Sequence, residues 1–176
     1  LAIYRMTDAQ LLKAGMEHDR ARALWGMGRA LVALGQLAEA VPVLATSTEI
    51  FAEARNVPMR CEVMLRQAAL QAASGQPMAG LNIARDVLAL VSRGNWPVQQ
   101  ARAHLTLADL LMPNATNALV HLQAAQRIND QLNLPELRLQ LHQRLGRTQL
   151  ALGLIDAAET TLQAAIREIE QQRNML

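Results

Sequence analysis

Three copies of one short pattern, asparagine then an apolar residue then proline, punctuate this chain at a near-constant interval. They are Asn56-Val57-Pro58, Asn95-Trp96-Pro97 and Asn133-Leu134-Pro135. A fixed period of this size restricts the fold to stacked copies of one supersecondary unit, because a single copy cannot bury its own apolar face. Each pattern reads as a joint between two helices. Asn tolerates the left-handed conformation that closes a helix, the apolar residue folds back on the last turn, and Pro suits a first helical position that needs no donor. Gly15-Met16-Glu17, one further period before Asn56, has the same form with Gly as the stop.

A second set of turns lies between the joints: Leu34-Gly35-Gln36-Leu37, Ser74-Gly75-Gln76-Pro77, Met112-Pro113-Asn114 and Leu152-Gly153-Leu154-Ile155. Each unit is therefore two helices. The first of each pair is expected over 17–34, 58–74, 97–112 and 135–152, the second over 37–55, 77–93, 115–132 and 155–172. Apolar residues three and four apart support this, as in Ile155, Ala158, Leu162, Ala165, Ile166 and Ile169, a single stripe that calls for a covering neighbour. Residues 1–14 read as the second helix of a preceding, truncated unit, followed by units 15–55, 56–94, 95–132 and 133–176 in one continuous array of about nine helices.

Composition agrees. Aromatic residues are only 2% of the 176, so the core is built from Leu and Ala, which favour helices over strands. Hydrophobic residues at 51% and charged residues at 18% exclude disorder, and no apolar run reaches the roughly 18–20 residues of a membrane span. The 17 basic residues, of which Lys13 is the only lysine, are scattered and nearly balanced by 15 acidic ones for a net charge of +2; that is no footprint for direct nucleic-acid contact. One cysteine, Cys61, permits no intrachain disulfide or multi-cysteine zinc site. With no leader pattern at Leu1, a cytoplasmic setting is expected, and the chain reads as a piece of a longer protein.

Small residues recur in register: Gly28, Ala68, Ala108 and Gly146 on the first helices, Ala40, Gly80, Ala118 and Ala158 on the second. Two antiparallel helices cross closely where both carry a small residue. Glycine inside a helix costs about 1 kcal/mol against alanine, so Gly28 and Gly146 mark a demand for close approach. Pro42 is the discordant residue, expected to start its helix late, to bend it, or to sit in an early turn.

The residues Leu24, Met27-Gly28, Leu31, Gly35, Ala40, Leu44 and Ser47, and again Leu145-Gly146, Gly153, Ala158, Leu162 and Ala165, resemble the tetratricopeptide repeat (TPR). The resemblance is stronger in units one and four than in two and three. The unit is longer than is usual for that family, its large aromatic positions hold Leu, Met or His, and the third hairpin turn is shortened. In these respects it is similar to the divergent repeats of large bacterial signalling and transcriptional regulators that carry an ATPase core. The resemblance implies an all-α, right-handed α-solenoid of stacked antiparallel hairpins, a TPR-like superhelix whose first helices line a concave face. It places ligand-facing residues at Arg22, Trp25, Arg29 and Val32, at Glu62, Leu65 and Ala69, at Arg102, Leu105 and Asp109, and at Gln140, Gln143, Arg147 and Leu150. Arg forks bind carboxylates through paired hydrogen bonds and Trp adds contact area at low entropy cost, so an acidic peptide fits this set of residues. The Lys and Asn clamp that some family members use for a terminal carboxylate is missing.

Catalytic signals are sparse. There is no phosphate-cradling Gly-rich loop, no helix with two His four apart and no calcium-loop spacing of acids, so no enzyme, metal site or cofactor is expected. His104 and His142 fall at equivalent core-facing positions and read as packing residues, with His18 and His121 apart from them. Cys61 matches the small core positions Ala21 and Ala101. Glu168 with Glu170, and Glu49 with Glu53, read as solvated outer faces, and the candidate-site arginines as either solvated or paired with Glu62 and Asp109. The expected function is a non-catalytic protein- or peptide-binding module, the sensor or scaffold segment of a larger bacterial regulator. The alternatives are a structural spacer or homodimer assembled through exposed end helices and, further off, a small-ligand sensor or enzyme around His104 and His142.

Overall fold

The computed structural model describes residues 1–173; residues 174–176 of the expected fourth unit lie outside the described residues. Among the described residues there are nine α-helices and no strand: α1 (Ala2–Lys13), α2 (Glu17–Ala33), α3 (Leu37–Glu53), α4 (Val57–Ala73), α5 (Pro77–Ser92), α6 (Pro97–Leu110), α7 (Ala115–Leu132), α8 (Pro135–Ala151) and α9 (Ile155–Arg173). Each expected helix is present, with ends that agree closely. The chain divides into two compact units, Leu1–Val91 and Ser92–Leu176. In the first, α1 packs on α2, α2 on α3 and α3 on α4; in the second, α6 packs on α7, α7 on α8 and α8 on α9. Adjacent helices in sequence are thus adjacent in space, the pairing of stacked antiparallel hairpins.

The turns show a finer period than the sequence pattern does. After α1, α2, α3, α4 and α8, one left-handed residue is followed by a residue whose N–H reaches back five positions: Met16 to the Leu11 carbonyl at 3.0 Å, Gln36 to Leu31 at 2.9 Å, Asn56 to Phe51 at 2.9 Å, Gln76 to Gln71 at 2.8 Å and Leu154 to Gln149 at 2.9 Å. Such a Schellman turn satisfies carbonyls that the helix end leaves without a donor. The left-handed residues are Gly15, Gly35, Arg55, Gly75 and Gly153, the first four at equal intervals along the chain. The Asn joints and the Gly turns therefore share one backbone. This corrects the role assigned to Asn56: the left-handed residue there is Arg55, with φ of 53°, and Asn56 instead caps α4, its side-chain oxygen accepting from Met59 N–H at 3.2 Å. Among the three joint asparagines only Asn133, φ 51°, takes the left-handed conformation.

Each unit has its own core. In the first, Ala21, Leu24 and Leu31 of α2 meet Ala40, Leu44 and Phe51 of α3, with Val63 and Leu70 of α4 beneath them. In the second, Ala101, Leu105 and Ala108 of α6 meet Ala118, Leu122 and Ala125 of α7 and Leu137, Leu141 and Leu145 of α8. All eight small register residues are buried. A Cβ on Gly28 would lie 2.7 Å from Leu44 Cγ, and one on Gly146 would lie 2.6 Å from Leu162 Cγ, so in both hairpins the glycine admits a leucine of the partner helix. Gly80 differs, because there the neighbour is the backbone carbonyl of Ala68. The buried hydroxyl of Ser47 donates to the Ala21 carbonyl at 2.8 Å, tying α3 to α2.

Two expectations are corrected. Pro42 lies within α3, which starts at Leu37, so it belongs to the second turn and not to a late start; the helix runs on through it. The stripe on α9 is only partly covered: Ala158 and Ala165 are buried, whereas Ile155, Ile166 and Ile169 are 59%, 54% and 47% exposed. In the same register Phe51 and Asn129 are buried, at 0% and 2%, where α4 follows α3 and α8 follows α7.

Candidate functional site

In the first unit, Arg22, Trp25 and Arg29 occupy positions i, i+3 and i+7 of α2 and so share one face. Both arginines are exposed and Trp25 is half-buried. Trp25 packs against the core, as does Val32, and the Arg29 guanidinium lies 5.2 Å from the indole ring centroid. This cation–π contact, worth about 0.5–1 kcal/mol at an exposed site, holds the fork on a flat apolar plate. The Trp25 indole Nε1 is buried without a hydrogen-bond partner. On α4, Glu62 is half-buried and Ala69 exposed, but Leu65 is buried at 7%; it is a core residue and not a ligand-facing one.

In the second unit, Arg102, Asp109, Gln140, Gln143, Arg147 and Leu150 are exposed on α6 and α8, apart from Leu150 most of them polar, while Leu105 is buried at 3%. Asp109 is engaged by Arg144, a residue absent from the expected site: Nε lies 2.9 Å from Oδ1 and Nη2 2.9 Å from Oδ2. This forked pair crosses from α6 to α8. Arg102 and Gln140 are brought together at the mouth of a pocket of about 520 Å³, also lined by Val98, Leu134, Pro135, Glu136 and Leu137.

The histidines are arranged otherwise than expected. His121 does not lie apart: its Nδ1 is 2.9 Å from Nδ1 of His104, across α6 and α7. One ring must donate and the other accept, so the pair fits when neither carries a positive charge. Burial, then the neighbouring His121 and Arg127, lower the His104 pKa from 6.5 to about 4. His18 packs edge-on against Phe51, with centroids 5.5 Å apart. His142 lies with its Nδ1 3.4 Å from Glu168 Oε2, so His104 and His142 each have their own neighbour. Glu168 is no solvated outer charge; its side chain is 13% exposed and it pairs with Arg138. Cys61 is fully buried, and desolvation pushes its thiol up to about 11, which keeps it protonated and unreactive near neutrality. Among the described residues no group of three or more His, Cys, Asp or Glu could hold a metal ion.

No family model matches the sequence, and no curated protein does. Solved structures do match. The nearly identical TPR-like repeats of a candidate kinesin light chain from Podosopora anserina superpose with a TM-score of 0.72 over 98% of this chain and 86% of that one, at 22% identity. The apo form of RapI gives 0.81 over 98% of this chain at 14% identity; this chain spans 64% of it. MamA from Desulfovibrio magneticus RS-1 gives 0.55 over 98% of this chain and 95% of that one, at 19% identity. The fold defined by the nine described helices and these likenesses is a TPR-like, repeat α-solenoid, an architecture suited to protein–protein contact and scaffolding.

Proposed function

We propose that this chain is a non-catalytic protein- or peptide-binding module whose ligand is acidic, working in the cytoplasm as the sensor or scaffold segment of a larger bacterial signal-transduction or transcription regulator. The observation that carries the reading is the α2 face: two exposed Arg forks flank a Trp plate, and one fork is already stacked on it. Such a surface has a forked partner for carboxylates beside rigid apolar area, the combination found at binding hot spots. On α6 and α8, Arg102, Gln143 and Arg147 extend the same chemistry, while Asp109 serves to brace Arg144. Direct nucleic-acid contact does not fit a net charge of +2. No described helix is long and apolar enough to cross a membrane.

A peptide array tests the reading. Acidic peptides with apolar residues should be retained and should change Trp25 fluorescence, and Arg29→Glu should weaken the best of them by about 10- to 100-fold, the worth of one charge-assisted fork. Retention unaffected by Arg29→Glu, or no retained peptide, refutes it. A second reading, self-association through the end helices, draws on the exposure of Ile3 and Met6 on α1 and of Ile166 and Ile169 on α9. Sedimentation velocity decides it: a dimer broken by Ile166→Arg supports assembly, and a monomer at every concentration removes it.

A further inference from the structure

The pocket between the first turns of α6 and α8 combines three features that together specify a ligand. Its walls include the apolar side chains of Val98, Leu134, Pro135 and Leu137, and its volume of about 520 Å³ lies within the range of small-ligand sites. At its mouth stand Arg102 on α6 and Glu136 and Gln140 on α8. Both helices begin here without a side-chain cap, after Trp96 and Leu134. The first N–H groups of a helix have no partner within it and carry the positive end of the dipole. Pro135 has no N–H to offer, so Glu136 and Leu137 present those of α8.

We infer that this pocket anchors an apolar side chain of a bound peptide segment, with an aspartate or glutamate next to it in that segment held by Arg102. The inference rests on the peptide-binding reading above and names the anchor within it. Charge decides the orientation. Arg102 and the helix starts attract the ligand's carboxylate, whereas Glu136 repels it and accepts from a ligand amide instead. Gln140, able to donate and accept, pairs with the ligand backbone. An apolar group without the acid would gain nothing from Arg102, and an acid without the apolar group would leave the walls wet. The pair of neighbours is therefore what the pocket selects.

Amide chemical shifts of the ¹⁵N-labelled chain, titrated with acetyl-Leu-Asp-amide, acetyl-Leu-Asn-amide and acetyl-Ala-Asp-amide, test this. Acetyl-Leu-Asp-amide should shift Val98, Arg102, Leu134 and Leu137 saturably, and each of the other two should bind about tenfold more weakly. Arg102→Gln should bring the Asp peptide down to the Asn peptide and leave the Asn peptide unchanged. Gln140→Trp, a change at an exposed position that fills the mouth, should abolish all three with the far-UV spectrum retained. Equal affinity for Asp and Asn peptides, or shifts that fall along α2 around Trp25 with the pocket silent, overturns the inference while leaving peptide binding in place. Failure of both this titration and the peptide array overturns the two together.

Discussion

Glycines at three helix crossings look alike in the sequence, yet the structure ranks them. At Gly28 an added Cβ would press on Leu44, which is fully buried and has nowhere to retreat. Overpacking of this kind costs about 1–3 kcal/mol, against which alanine recovers about 1 kcal/mol of helix propensity. Gly28→Ala should therefore destabilise by about 1–2 kcal/mol net. At Gly146 the pressed residue is Leu162, which is only half-buried and can swing outward, so Gly146→Ala should come near neutrality. At Gly80 the obstacle is the Ala68 carbonyl, which no rotamer change can move; Gly80→Ala should cost the most of the three. Urea titrations followed by far-UV circular dichroism give the order directly, with a slope of about 2 kcal/mol per M turning the Gly28→Ala loss into a midpoint shift of about 0.5–1 M. Adding Leu44→Ala to Gly28→Ala should show a favourable coupling of about 1 kcal/mol or more, whereas Leu44→Ala should do nothing for Gly80→Ala. Equal midpoints for all three variants, or no coupling at Gly28, would refute the assignment of side-chain contact at one crossing and backbone contact at the other.

Arg55 holds a left-handed conformation that costs a residue with a Cβ about 1–2 kcal/mol, so Arg55→Gly should stabilise the chain, by about 1 kcal/mol after the unfolded-state entropy of glycine is subtracted; a lower urea midpoint contradicts this. Because His104 is held neutral in the fold, with its pKa lowered from 6.5 to about 4, its contribution is complete above pH 6.5 and is lost as pH falls from there toward 4. His104→Leu should accordingly flatten the drop in urea midpoint between pH 7 and pH 5, and an undiminished drop in the variant would place the acid sensitivity elsewhere.

Much of this architecture could be read from punctuation. Turn residues and the apolar period of a helix are local signals, and they located each of the described helices closely. What local signals do not carry is which backbone position in a joint bears the left-handed conformation. Asn56 has the chemistry for it, but Arg55 takes it because the even spacing of the turns governs, leaving Asn56 to cap α4. The partners of His104 and Glu168 escaped for a related reason. His121 lies on the helix that follows His104, where no short motif reaches. Glu168 reads as one of two outer acids until it is aligned with Ile50, by the same shift that relates Gly146 to Gly28 and Leu162 to Leu44; that register was a usable sign that position 168 faces inward. Of the site, the arginines and Trp25 were legible as surface positions of first helices. Leu65 and Leu105 were not separable from them, since an apolar residue beside the core stripe can turn either way. The pocket was invisible because it needs two helix starts, one full repeat apart in sequence, side by side.

The claim on which the functional account stands is that the exposed surfaces of the first helices, and not those of the second, receive the ligand. Hydrogen–deuterium exchange of the chain with and without the best peptide from the array measures this most directly. The account predicts slowed exchange in α2, α6 and α8, with α3, α5, α7 and α9 unchanged. Protection concentrated in those second helices, with α2, α6 and α8 exchanging as in the free chain, would contradict it.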